Sequence, residues 1–209
     1  MLPNSDCTAA DLYESLKHCK GQNSLPGIRP KVLGIPKTHI VSFPKLPDLD
    51  AKDATMASIA TYDGDFVLAA DKKFLFMDIL SSSSNVKSDP QGEGASKSYL
   101  ITAVLFHPST GPEVTGFSRM VINDDFIWLV QQRDGRWRVV GNEMMETDTQ
   151  PAQDSGQAVT DSSGTTFTAT VSDVCPAPFY TGKVLTEKGV YNCATNTLEA
   201  AEPLSLLLS

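Results

Sequence analysis

The chain has 209 residues, of which 41% are hydrophobic and 20% charged, and a formal net charge of −8 at neutral pH. That length suits one domain, or one domain with arms, and the apolar fraction supports a packed core rather than a disordered chain. The acidity and the absence of any Lys/Arg run argue against a free-standing nucleic-acid binder, which needs a basic face to displace counterions from phosphate.

At the start of the chain, Met1 to Asp6 is polar and lacks the basic start and apolar stretch of a secretory leader. No window approaches the ~18 apolar residues of a bilayer-spanning helix, so the expectation is a protein made and assembled in a cytoplasm. Residues 8–19 predict a short helix capped by Thr8 and stopped by Gly21, with Leu12, Tyr13, Leu16 and Cys19 along one face. Such a helix is marginal alone and is expected to dock on the body or on a neighbouring subunit. Pro26, Pro30, Pro36, Pro44 and Pro47 then punctuate the chain, leaving strand-like runs at 31–35 and 39–43. Residues 1–50 accordingly read as an N-terminal arm.

Phe66–Ala70 and Phe74–Leu80 have strong β propensity, and Lys97–His107 is a further strand. Between them, residues 81–96 are polar and read as the long tip of a hairpin. Two readings stand: a surface loop, or an arm that orders on meeting another subunit. The arm would be carried by Ser83, Asn85, Val86, Lys87, Asp89, Gln91 and Glu93.

Pro112 suits the first turn of a helix reaching Asn123, with Val114, Phe117, Met120 and Val121 as its apolar stripe. Asp125–Arg133 and Arg136–Gly141 read as a hairpin with Asp134-Gly135 as a two-residue turn. Trp137 and Val139 would face inward, and Arg136 and Arg138 outward. Residues 142–164 are polar and loop-like, and Thr165–Ser172 alternates as a strand. Short strands at 183–186 and 190–192 follow, within a C-terminal extension over 183–209. The apolar run 203–209 is expected to tuck against a core or a partner.

No reactive constellation accompanies these elements. His18, His39 and His107 stand apart, without an HExxH pattern, and each reads as a plain polar residue. There is no GxSxG elbow and no GxxxxGK[ST] loop, and Gly92-Glu93-Gly94 lacks the context of a dinucleotide fingerprint. Asp124-Asp125 are neighbours beside a turn and read as solvated residues rather than a catalytic pair. No catalytic, cofactor-binding or metal-ligating residue is assigned, and the reading is a non-enzymatic structural protein. Cys7, Cys19, Cys175 and Cys193 form no CxxC pair, and free thiols are expected in a reducing cytoplasm. The alternative is a disulfide tying the N-terminal arm to the Cys175 or Cys193 region.

From residue 134 the order of features is distinctive. Asp134-Gly135-Arg-Trp-Arg-Val-Val-Gly141 is followed by Asp154-Ser-Gly156, then by Asp161-Ser-Ser-Gly164 leading into Thr165–Thr170, then by Cys175-Pro-Ala-Pro178. This resembles the major tail proteins of bacteriophages and prophages, especially those of Bacteroidetes-type bacteria, over residues 60–182. The resemblance implies a mainly β tail-tube fold over 51–182: two packed antiparallel sheets, as a sandwich or open barrel, with a flanking helix. It implies a homo-oligomeric ring, a hexamer, whose inner sheets join and whose rings stack into a tube in the virion tail. DNA would pass through this channel without being held, and an acidic lumen would keep it moving. Tape-measure, terminator and baseplate or hub proteins would be the other partners, and no cofactor is implied. Other readings of the same features are a capsid decoration, head-completion or tail-terminator protein, and a bacterial β-sandwich binding module.

Overall fold

The structure, a computed structural model, describes residues 12–17, 25–158 and 160–199. In chain order the strands are β1 Ile28–Pro36, β2 Ile40–Ser42, β3 Thr61–Tyr62, β4 Val67–Leu68, β5 Leu75–Asp78, β6 Asn85–Gln91 and β7 Ser98–His107. The helix α1, Pro112–Val121, follows. Then come β8 Phe126–Gln132, β9 Trp137–Val140, β10 Asp148–Asp154, β11 Gly164–Asp173, β12 Phe179–Tyr180, β13 Lys183–Thr186, β14 Gly189–Asn192 and β15 Thr197–Glu199. The chain is mainly β, with packed antiparallel sheets, one flanking helix and no closed barrel.

The central layer is a six-stranded sheet in the order β3-β12-β9-β8-β1-β5. Its middle strand is Phe126-Ile-Trp-Leu-Val-Gln-Gln132, in which every residue but the last is buried. A continuous apolar run of this kind signals a strand covered on both faces. Phe126, Trp128 and Val130 point into one core, and Ile127 and Leu129 into another. The first core is closed by the four-stranded sheet β10-β11-β7-β6, through Ile101, Ala103, Leu105, Phe167, Ala169 and Val171. The second is closed by Tyr62, Phe66, Phe74, Tyr180 and the three-stranded sheet β13-β14-β15. The Tyr180 hydroxyl accepts the N–H of Phe66 and donates to the carbonyl of Lys183, fastening that last sheet to the body.

α1 forms where the sequence places it. Gly111 is its N-cap and Pro112 opens its first turn. Val121 is buried and Val114 and Phe117 pack on the first core, whereas Met120 is exposed. Phe117 meets Phe126, Trp128 and Phe167 edge-on, so one helical residue touches both sheets of the sandwich.

Several expectations are revised. Residues 28–36 are not part of an arm: β1 lies between β8 and β5, with Val32, Leu33 and Ile35 fully buried. Of the helix expected over 8–19, residues 12–17 are described and are irregular, with Tyr13 and Leu16 exposed, so no buried face supports a turn there. The rest of it, with Cys7, His18 and Cys19, lies outside the described residues, as does the run 203–209. Cys175 and Cys193 are free and buried. The β8–β9 connection is a three-residue loop, 133–135, closed by Gln132 N–H to Arg136 O, with Gly135 at φ +95°. Glycine in the left-handed region fits that longer turn as well as it fits a two-residue one. Arg138 is only partly exposed, because it lies on the face of the sheet turned toward the second sheet of the sandwich. Its guanidinium donates to the carbonyls of Pro176 and Ala177 and lies 4.0 Å from the centre of the Phe179 ring.

Candidate assembly surface

The largest revision falls on residues 81–96. Ser81–Ser83 is a single 3-10 turn, and Asn85–Gln91 is not a loop tip but the edge strand β6. It runs antiparallel to β7 in unbroken register from Asn85 opposite Val104 to Gln91 opposite Ser98. Val86 and Ser88 turn toward the core, and Asn85, Lys87 and Asp89 turn out. Of the residues assigned to the arm, Ser83 precedes the strand, Asn85, Val86, Lys87, Asp89 and Gln91 lie on it, and only Glu93 sits in the short turn 92–97. The opposite edge of the same sheet is β10, which also fell in a segment read as loop. It pairs with β11 from Asp148 opposite Thr170 to Asp154 opposite Gly164.

Each of these edge strands is polar and each contains one proline, Pro90 and Pro151. Proline cannot donate to a ladder and is tolerated in a sheet at its edges. Both strands pair along one side only, so this sheet ends in two edges that are unpaired among the described residues.

The outward face of the sheet follows from the registers. One row reads Asp148, Thr170, Thr102, Lys87, and the next reads Gln150, Thr168, Val104, Asn85. A third holds Ala152, Thr166 and Phe106, and a fourth Ser172, Leu100 and Asp89. The centre is therefore a threonine-rich band with the charges at the margins. Lys87 and Asp89 pair at 3.0 Å, both largely exposed, so their contact contributes little stability. Gln91 donates to the hydroxyls of Ser98 and Ser172, tying three strands across this face. With Asp89, Asp148 and Asp154 against Lys87, the face is weakly acidic.

The short motifs of residues 154–164 are turn chemistry that returns β10 into β11. Asp154 accepts the N–H of Gly156, and Asp161 accepts those of Gln157 and Ala158. These backbone donors hold the Asp161 carboxyl below its ordinary range. Gly164 is required because a Cβ there would collide with the Phe106 ring and the His107 carbonyl.

Among the described residues, no group of three or more His, Cys, Asp or Glu side chains is placed to hold a metal ion. Asp125 is a structural group: it pairs with Lys37 at 3.0 Å and accepts the N–H of Thr147. Asp173 is buried and accepts the N–H groups of Val174 and Cys175 and a contact from Asn142. No family model, curated protein or solved structure matches this chain.

Proposed function

We propose that this chain is a virion structural subunit of the tail-tube kind, which self-assembles into stacked rings around a channel for DNA. The observation that carries the reading is the four-stranded sheet. It has a broad, weakly acidic, threonine-rich outward face and two edges open to further strands. A sheet with both edges open is a liability in a monomer and a joining device in a ring. β6 of one copy beside β10 of the next would extend the sheet around a lumen lined by the threonine band. Hydroxyls and the apolar Leu100, Val104 and Phe106, with a few acids and a Lys87 already paired to Asp89, would give DNA little cationic surface to bind. The residue motifs between Asp134 and Pro178, which resemble those of phage major tail proteins, point the same way.

A second reading, a monomeric β-sandwich binding module, is favoured by one observation. Pro90 and Pro151 interrupt the two edges, and charges flank them, which are devices that blunt edge pairing. Sedimentation velocity over a wide concentration range separates the two. The tube reading expects large species that grow with concentration, and a single monomer at every concentration contradicts it.

A further inference from the structure

The charges of this acidic chain are sorted along the strand axis of the central sheet. Four of its arginines, Arg29, Arg133, Arg136 and Arg138, gather at one end. Arg133 follows β8, Arg136 and Arg138 follow the turn onto β9, and Arg29 is beside Ile28, whose register partner is Gln132. The acids beside them among the described residues are Asp134, already paired with Arg136, and Glu14, which lines the same hollow as Asp134 and Arg136. The other end of β8 and β9, about 20 Å away by strand rise, holds Asp124, Asp125, Glu143 and Glu146, against Lys37, which pairs with Asp125, and Lys45, which lines the same hollow as Glu143.

At that acidic end, Glu143-Met144-Met145-Glu146 forms a knob. Its backbone is fixed: Asn142 Oδ1 accepts the N–H groups of Met144 and Met145, and Lys37 Nζ donates to the Met145 carbonyl. Its apolar side chains are nevertheless turned to solvent, Met144 87% and Met145 51% exposed. A rigid loop that offers two adaptable thioethers between two carboxylates is preorganised for a contact.

At the arginine end the sandwich is open between β6 and the central sheet. A cleft of about 380 Å³ lies there, with Ile28, Val86, Val130 and Ala177 on its walls and Arg138 among its polar residues. Gln132 also lines it, and its side-chain oxygen is buried without a hydrogen-bond partner among the described residues. Apolar walls ringed by arginines complement an apolar knob with flanking carboxylates.

We infer that the Glu143–Glu146 knob of one copy docks at the arginine end of a second copy, in the cleft beside Arg133. The two surfaces differ and lie at opposite ends, so the contact is heterologous and propagates along an axis. The inference rests on the self-assembly reading above and names the residues that would carry its longitudinal contact.

Two measurements on the full chain test it. In dilute peroxide, Met144 and Met145 should oxidise readily in the monomer and at least about five-fold more slowly in the assembled protein, read by peptide mass spectrometry. Equal rates in assembly and monomer overturn the inference and leave the tube reading intact. A protein that never assembles overturns both. In the second measurement, Glu143→Lys with Glu146→Lys, and separately Arg29→Glu with Arg133→Glu, should each raise the critical concentration at least about ten-fold. The four changes together should restore it. Folded variants that assemble as the parent does, or a combination that fails to recover, contradict the contact.

Discussion

Gly34 and Trp128 face each other across β1 and β8, and the indole ring lies over the glycine. A Cβ at residue 34 would sit 2.8 Å from Trp128 Cζ3, closer than packed carbons approach. Gly34→Ala should therefore destabilise the fold by ~1–3 kcal/mol, the usual cost of overpacking, read as a lower denaturation midpoint with an unchanged slope. The two described cysteines make a second residue-scale case. Burial, then the charge of Asp173, pushes the Cys175 thiol up to about 11, and burial, then Asp65, pushes Cys193 up to about 12. A thiol whose folded pKa is raised favours the native state below its unfolded value, and that contribution is lost as pH climbs toward the folded one. Both thiols should thus resist alkylation at pH 8 in the native protein and react once it is unfolded. Peptide mapping checks this, and rapid native labelling at either position would show the burial to be wrong.

At the scale of elements, Trp128 Nε1 donates to the Thr149 hydroxyl at 3.2 Å, so the central strand β8 is pinned to the edge strand β10. Thr149→Val keeps the shape, removes the acceptor and strands a buried N–H, a change expected to cost ~1–3 kcal/mol in denaturant unfolding. β10 and β6 were also the two strands of the sandwich hidden in the sequence. Each is a run of polar residues around a proline, Asp148-Thr-Gln-Pro-Ala-Gln-Asp154 and Asn85-Val-Lys-Ser-Asp-Pro-Gln91. Their apolar signal is missing because edge strands bury little and take their partners from one side only. β7, β8 and β11 were legible for the opposite reason, since they contribute the alternating or continuous apolar residues of the first core. β1 was recognisable as a strand but not as a central one, because prolines at 26, 30 and 36 resemble those of a linker. Arg138 was assigned to solvent because alternation alone does not reveal a second layer that covers the outer face.

For the molecule as a whole, the charge distribution matters more than the net value of −8. The outward face of β10-β11-β7-β6 carries Asp89, Asp148 and Asp154 at its margins and threonines between them. If that face lines a passage for DNA, the acids there prevent adhesion. Converting Asp89, Asp148 and Asp154 to lysine should create duplex retention at low salt that fades as salt rises, because each phosphate contact releases counterions. Fluorescence anisotropy with a labelled duplex measures it, and an unchanged absence of binding at low salt would remove the channel argument from this face. The central claim, that the chain builds a tube, is tested most directly by electron microscopy of the purified full-length protein. The account predicts hollow tubes or stacked rings with an axial hole wide enough for duplex DNA, and a field of uniform single particles at high concentration would contradict it.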